Sequence, residues 1–238
     1  PYVLAFWSAA MSMMMMLVSS SVMGTALFRD IEHNTKDYYL TYPITEAGYF
    51  WGRFLSAFAL MIFIASAIYI GAFFGTYLGP LIGWTDSSHY GPHRFVYYLH
   101  PFLTITLPNI FFTSALFFGL VAVLRNIKVI YFGGIILFLF YFISLFFLNT
   151  TQNQDIINLS DPFGLSGVRF QSDIATSAQQ NTTLFPIQGT FMINRLIWSG
   201  LGLAVLVFTY WRFSFKRFFA GRRDKTSAIA SALQKLPS

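Results

Sequence analysis

Five long apolar stretches dominate the chain, at residues 3–28, 54–78, 102–124, 129–148 and 196–213, and none carries Asp, Glu, Lys or Arg in its central part. An α-helix rises 1.5 Å per residue, so about 20 apolar residues cross a hydrocarbon layer roughly 30 Å thick. A charge at the centre of such a helix costs about 3 kcal/mol on insertion scales. Strands of a membrane barrel alternate polar and apolar residues, whereas these runs are apolar on every face. The pattern predicts an all-α integral membrane bundle with five spans in this chain. Composition agrees: 55% of the 238 residues are hydrophobic and 10% are charged, against about 25% charged in a soluble domain.

The basic residues predict the orientation. Arg29, Lys36 and Arg53 lie between the first two runs, and Arg125 and Lys128 between the third and fourth. Arg212, Lys216, Arg217, Arg222, Arg223, Lys225 and Lys235 fall at the C-terminal end. The alternate segments, 79–101 and 149–195, hold Arg94, Arg169 and Arg195 alone. Lys and Arg accumulate on the cytoplasmic side, so the C-terminus is expected inside and the N-terminus of this chain outside. No basic region or small-residue cleavage site marks the first run as a signal peptide. An outside N-terminus therefore predicts a further span ahead of this chain and six spans in the intact domain. Residues 1–213 read as the transmembrane domain and 214–238 as a basic cytoplasmic tail or linker. The net charge of +6 is accounted for by this tail rather than by a nucleic-acid surface.

Within the spans, Met11 and the run Met13, Met14, Met15, Met16 read as flexible apolar filler. Ser8, Ser12, Ser19 and Ser20 read as small packing positions, as do Gly71, Gly75 and Gly79, spaced four apart. Pro108 removes a helical hydrogen bond and predicts a kink in the third span, beside Pro101 and Asn109. His89, His93 and His100 with Asp86 could ligate zinc by residue type, but Gly91 and Pro92 interrupt the spacing, and a polar outer loop is the reading. The long segment 149–195 carries N-x-S/T sequons at Asn149, Asn158 and Asn181. The chain has no Cys, no G-x-x-x-x-G-K-[ST] phosphate loop and no H-E-x-x-H zinc motif, and no span holds His or Asp near its centre. No catalytic residues, cofactor or metal site are expected.

The segment 29–53 is the most informative. It mixes Arg29, Asp30, Glu32, Lys36 and Asp37 with Tyr38, Tyr39 and Tyr42. Thr45 before Glu46 is a helix N-cap pattern, and Pro43 breaks whatever precedes it. A short amphipathic helix, a break at residues 41–43 and a second helix entering the membrane are expected.

The order Arg29-Asp30-x-Glu32, then Thr35, then Thr41-x-Pro43-Ile44-Thr45, then Gly52-Arg53 resembles the permeases of type-2 ABC exporters. Asn34 stands where that family often has Gly, and Arg53 where it often has Lys. The resemblance implies that 29–53 is a coupling segment docking on an ATPase subunit through Arg29, Asp30, Glu32, Thr35, Tyr39, Pro43 and Thr45. The six-span layout with a long outer loop before the last span matches as well. Asp161-Pro162-Phe163-Gly164 and Asn194-Arg195-Leu196-Ile197-Trp198 are similar to a bacterial branch in which the permease is joined to a gluzincin-type aminopeptidase domain.

The expected function is therefore the transmembrane permease subunit of an ATP-driven exporter in a bacterial inner membrane. ATP and Mg would reside on a separate ABC ATPase, and a second permease copy or homologue would complete the pathway, with membrane lipid around both and no nucleic acid. A non-transporting scaffold subunit is the alternative, followed by an intramembrane enzyme.

Overall fold

The computed structural model describes residues 1–33, 43–86, 91, 94–124, 126–148, 153–214 and 218. All regular structure among them is helical. α1 spans Tyr2–Glu32, α2 Glu46–Leu81, α3 Val96–Leu124, α4 Ile127–Leu148, α5 Gln154–Ser160, α6 Leu165–Ile174, α7 Ser177–Thr182 and α8 Gly189–Arg212. Four of these, α1, α2, α3 and α8, are long and apolar enough to cross a membrane. α4 is a 22-residue helix whose described core, Tyr131–Ser144, is also apolar.

The helices outrun the apolar stretches at their ends. Thr45 explains the early start of α2: its Oγ1 accepts from the Gly48 backbone N–H at 3.0 Å, satisfying one of the unpaired N–H groups of the first turn. Residues 46–53 are therefore the first two turns of α2 rather than loop. At the other end of the bundle, Gly189 to Arg195 belong to α8, and the described residues between α4 and α8 form the short helices α5, α6 and α7 with their connecting turns. The expected amphipathic helix and break fall largely on residues 34–42, outside the described residues.

α3 is the central helix. In its most apolar window 56% of residues are buried, against 17% for α2. Its second half packs α1 on one side and α8 on the other. Small residues set these approaches. A Cβ on Gly119 would come within 2.8 Å of Thr209 Oγ1 on α8, and one on Gly134 of α4 would come within 2.5 Å of Ser20 Oγ on α1. Ser19 meets Thr113 at 3.1 Å across the α1–α3 seam. Hydroxyl contacts of this kind add about 0.6 kcal/mol each between membrane helices. Of the expected stripe on α2, Gly79 is buried, whereas a Cβ on Gly71 or Gly75 would meet nothing within 4 Å among the described residues, so that part of the stripe is uncovered.

Proline in α3 acts differently from a simple kink at Pro108. Pro108 has no N–H for the carbonyl of Thr104, and the helix widens to a π-turn over Phe102–Thr106, where Leu107 N–H bonds to Phe102 O. The departure from α-geometry thus lies between Pro101 and Pro108. Tyr69 of α2 places its hydroxyl there, 2.6 Å from Ser8 Oγ and 2.5 Å from Thr106 Oγ1.

The chain runs back and forth between two poles. At one, Phe50 of α2 packs on Phe118 of α3 and on Tyr210 and Phe213 at the end of α8. At the other, Tyr2 packs edge-on against Phe185, and Tyr97 OH donates to Thr182 O, joining the start of α3 to the end of α7. Between the poles the bundle turns large apolar side chains outward, among them Phe63, Ile70 and Phe74 on α2, and Phe132, Phe140 and Phe146 on α4.

Candidate functional site: buried polar clusters at the two poles

At the first pole, Asp30 in the last turn of α1 is buried, although Arg29 and Glu32 beside it are exposed. Its Oδ2 accepts from Tyr49 OH at 2.7 Å, and Arg53 Nη2 lies 2.6 Å from Oδ1. Tyr49 and Arg53 stand four apart, one helical turn, so both reach the same carboxylate from one face of α2. The Arg53 guanidinium also lies over the Tyr49 ring, 5.7 Å from its centroid. This cluster pins the end of α1 to the start of α2. The segment between them must leave and return at a fixed separation. Of the expected docking residues, Arg29, Glu32, Pro43 and Thr45 are exposed around this clamp. Asp30 is turned into it, and Thr35 and Tyr39 lie outside the described residues.

At the second pole, the D-P-F-G and N-R-x-x-W residues meet. Asp161 is fully buried: Oδ1 accepts from Tyr141 OH at 2.7 Å and from the Phe163 backbone N–H at 3.0 Å, and Oδ2 accepts from Ser166 N–H at 2.7 Å. Arg195, also buried, donates from Nη1 to Asn109 Oδ1 at 2.5 Å, from Nε to Asn194 Oδ1 at 3.0 Å and from Nη2 to Pro162 O at 3.1 Å. The Asn194 amide in turn donates to the carbonyls of Asn158 at 2.6 Å and Asp161 at 2.8 Å, and Trp198 Nε1 donates to Leu159 O at 3.1 Å. Asn109 Nδ2 donates to Phe163 O at 3.0 Å.

The turn 161–164 is thereby gripped by α3, α4 and α8 at once. Gly164 adopts a left-handed conformation, φ +74°, and a Cβ there would lie 2.6 Å from Arg195 Nη2. Only glycine meets both demands without strain. The buried Arg195 guanidinium and the buried Asp161 carboxylate are each held by several hydrogen bonds and together make a rigid knot.

The sequence motifs named Asp161, Pro162, Phe163, Gly164, Asn194, Arg195 and Trp198, and the fold brings all seven together. It adds Tyr141, one of three hydroxyl residues in the apolar run 129–148 with Tyr131 and Ser144, and Asn109, which stood out in the sequence only as a neighbour of Pro108. At the first pole it adds Tyr49, whose spacing to Arg53 was the available signal. Of the sequons, Asn158 is buried in the knot while Asn181 is exposed on α7, and Asn149 lies outside the described residues. His89 and His93 also lie outside them. His100 falls in the first turns of α3, with Nδ1 buried and without a hydrogen-bond partner. Among the described residues no group of three His, Cys, Asp or Glu side chains could hold a metal ion. In comparison with known proteins, the chain matches no family model, no curated protein and no solved structure.

Proposed function

We propose that the chain is the transmembrane permease subunit of an ATP-driven exporter, crossing a bacterial inner membrane by five spans with its C-terminus in the cytoplasm. The observation that carries this reading is the Asp30–Tyr49–Arg53 clamp. It ties the ends of α1 and α2 together on either side of a charged segment, so a push on that segment is delivered to two helices rather than absorbed by a slack loop. Arg29, Glu32, Pro43 and Thr45 stay exposed around it, as a docking surface requires. A separate ABC ATPase would supply ATP and Mg, and its closure would shift the bundle between two packings that bind cargo differently.

The outward apolar side chains of α2 and α4 suit lipid contact, and the uncovered Gly71 and Gly75 face of α2 suits a second permease copy or homologue. The knot at the opposite pole would hold α3, α4 and α8 as one block during such a motion. The test is purification of the tagged chain from its native membrane, with assay of the complex for a P-loop ATPase and for ATP-dependent cargo movement in vesicles. A complex without ATPase would point to the scaffold reading instead.

A further inference from the structure

Two prolines interrupt α3. Pro101 and Pro108 have no N–H for the carbonyls of Tyr97 and Thr104, so two rungs are missing from the helix ladder close together. Thr104 Oγ1 donates to His100 O at 2.7 Å, a side-chain bond of the kind that bends helices. The π-turn Phe102–Thr106 lies between the two prolines, and such turns collect at kinks and at functional positions.

The helix has different partners on the two sides of this turn. Beyond it α3 is fixed: Asn109 bonds to Phe163 O and to Arg195, Thr113 to Ser19, and Gly119 lies close against Thr209. Before it, Val96–Pro101 forms a short arm. Tyr98 of the arm packs edge-on against Phe73 of α2 at 5.3 Å, and Phe102 at its foot packs edge-on against Tyr69 at 5.1 Å. At the tip, Tyr97 OH makes one bond to Thr182 O, 3.1 Å long.

An apolar groove of about 330 Å³ runs between the arm and α2. Ile70, Phe73 and Phe74 line one side, and Phe95, Leu99 and Phe102 line the other. A close-packed interior resists displacement, whereas this groove leaves the arm room to move toward α2.

The shortest polar ties at the foot of the arm belong to Tyr69. Its hydroxyl lies 2.6 Å from Ser8 Oγ on α1 and 2.5 Å from Thr106 Oγ1, the last residue of the π-turn. Ser12 Oγ adds a longer bond to Thr106, at 3.3 Å. One phenol thus joins α1, α2 and the π-turn.

We infer that the π-turn is a hinge on which the arm swings toward α2, and that the Tyr69 hydroxyl is the latch that holds it. With the latch made, Thr106 is tied to α1 and α2 and the arm stands off the groove. With the latch broken, the missing rungs let the arm close over the groove while the second half of α3 stays packed on α1 and α8. The device belongs to this chain alone and stands whether or not the exporter reading holds.

The chain has no Cys, so spin labels can be placed at will on the full chain in lipid nanodiscs. Val96→Cys with Phe63→Cys reports the distance from the arm to α2, and Val123→Cys with Phe63→Cys is the control across the fixed half; all three positions are exposed. The native arm pair is expected to give one narrow distance. Tyr69→Phe keeps the ring and removes both hydroxyl bonds. It is expected to raise a second, shorter arm distance about eightfold in population, from the usual strength of two hydroxyl bonds between membrane helices, and to leave the control pair unchanged. Adding Pro108→Ala supplies the N–H for Thr104 O and is expected to remove the second distance. An unchanged arm distance in folded Tyr69→Phe protein would overturn the latch. Equal broadening of both pairs, or a second distance that survives Pro108→Ala, would overturn the hinge.

Discussion

Arg53 Nη2 on α2 lies 2.5 and 2.6 Å from the two carboxylate oxygens of Asp30 on α1, while Arg29 and Glu32 in the same last turn of α1 are exposed. Two neighbouring acids in one short motif, Asp30 and Glu32, thus have different surroundings: one is an internal tie and the other an open charge.

Asp30→Asn should therefore cost stability. Breaking a fully buried pair costs about 3–5 kcal/mol. Arg53 keeps 34% of its side chain in solvent, which lowers the expectation to about 1–3 kcal/mol, with Arg53→Gln somewhat less. Asp30→Lys, facing Arg53, should sharply reduce the yield of folded protein. A double-mutant cycle of Asp30→Asn and Arg53→Gln, followed by thermal unfolding in detergent, isolates the contact. Strict additivity would show that the pair contributes nothing.

In the knot, Tyr141→Phe removes one of the donors to Asp161 and leaves the backbone N–H groups of Phe163 and Ser166 in place. The expected loss is about 1–2 kcal/mol, read as an unfolding shift, with no change in the helical content of the folded state. An unchanged unfolding curve would mean that α4 is not held through this bond.

Arg195 should be the least replaceable residue of the knot. Its Nε, Nη1 and Nη2 reach Asn194, Asn109 and Pro162 in a planar fork, and a lysine ammonium cannot reproduce that geometry. Arg195→Lys should cost about 3 kcal/mol or more, close to Arg195→Met. Rescue by lysine to near the native unfolding temperature would reduce the role of Arg195 to that of a counter-charge for Asp161.

How far these features were legible in the sequence depends on range. The apolar runs showed the helices because a membrane-length helix needs no partner to be recognised in composition, and Thr45 showed its cap because capping is local. The ends of the helices were less visible. Tyr49, Phe50 and Arg53 follow the Thr45 cap and so read as the start of the second helix, but nothing in the sequence showed that its first turns bury Tyr49 and Phe50 against the ends of α3 and α8. The π-turn before Pro108 was not legible, since the missing proline N–H predicts a disturbed helix but not the form or the place of the disturbance. Asp161 and Arg195 stood out as motif residues, but their partners, Tyr141 on α4 for Asp161 and Asn109 on α3 for Arg195, are tens of residues away in sequence and carry no local signal.

Orientation has a direct check. Thr182 lies exposed on α7 at the knot pole, which the proposed topology, drawn from the distribution of Lys and Arg, places outside. In this Cys-free chain, Thr182→Cys should react with an impermeant maleimide added to intact cells, and Ser227→Cys should react only after lysis. Labelling in the reverse order would invert the topology and put the knot pole in the cytoplasm.

The docking assignment rests on Glu32 and Arg29, because Asp30 is engaged inside the bundle. Both are exposed in the last turn of α1, so their reversal leaves the Asp30–Arg53 tie intact, and surface substitutions of this kind usually change stability by no more than about 0.5 kcal/mol. If the segment docks on an ATPase, Glu32→Lys with Arg29→Glu should leave the unfolding temperature near native. The loss of a desolvated charge partner across the interface should weaken assembly by about 2–5 kcal/mol. The readouts are the amount of ATPase recovered with the tagged chain and the ATP hydrolysed per cargo moved. If these charges rest at the lipid headgroups instead, the variant would keep both its partner and its transport. Normal protein levels with unchanged recovery and coupling would remove the segment from the ATPase interface and leave the clamp as a purely internal fastening of α1 to α2.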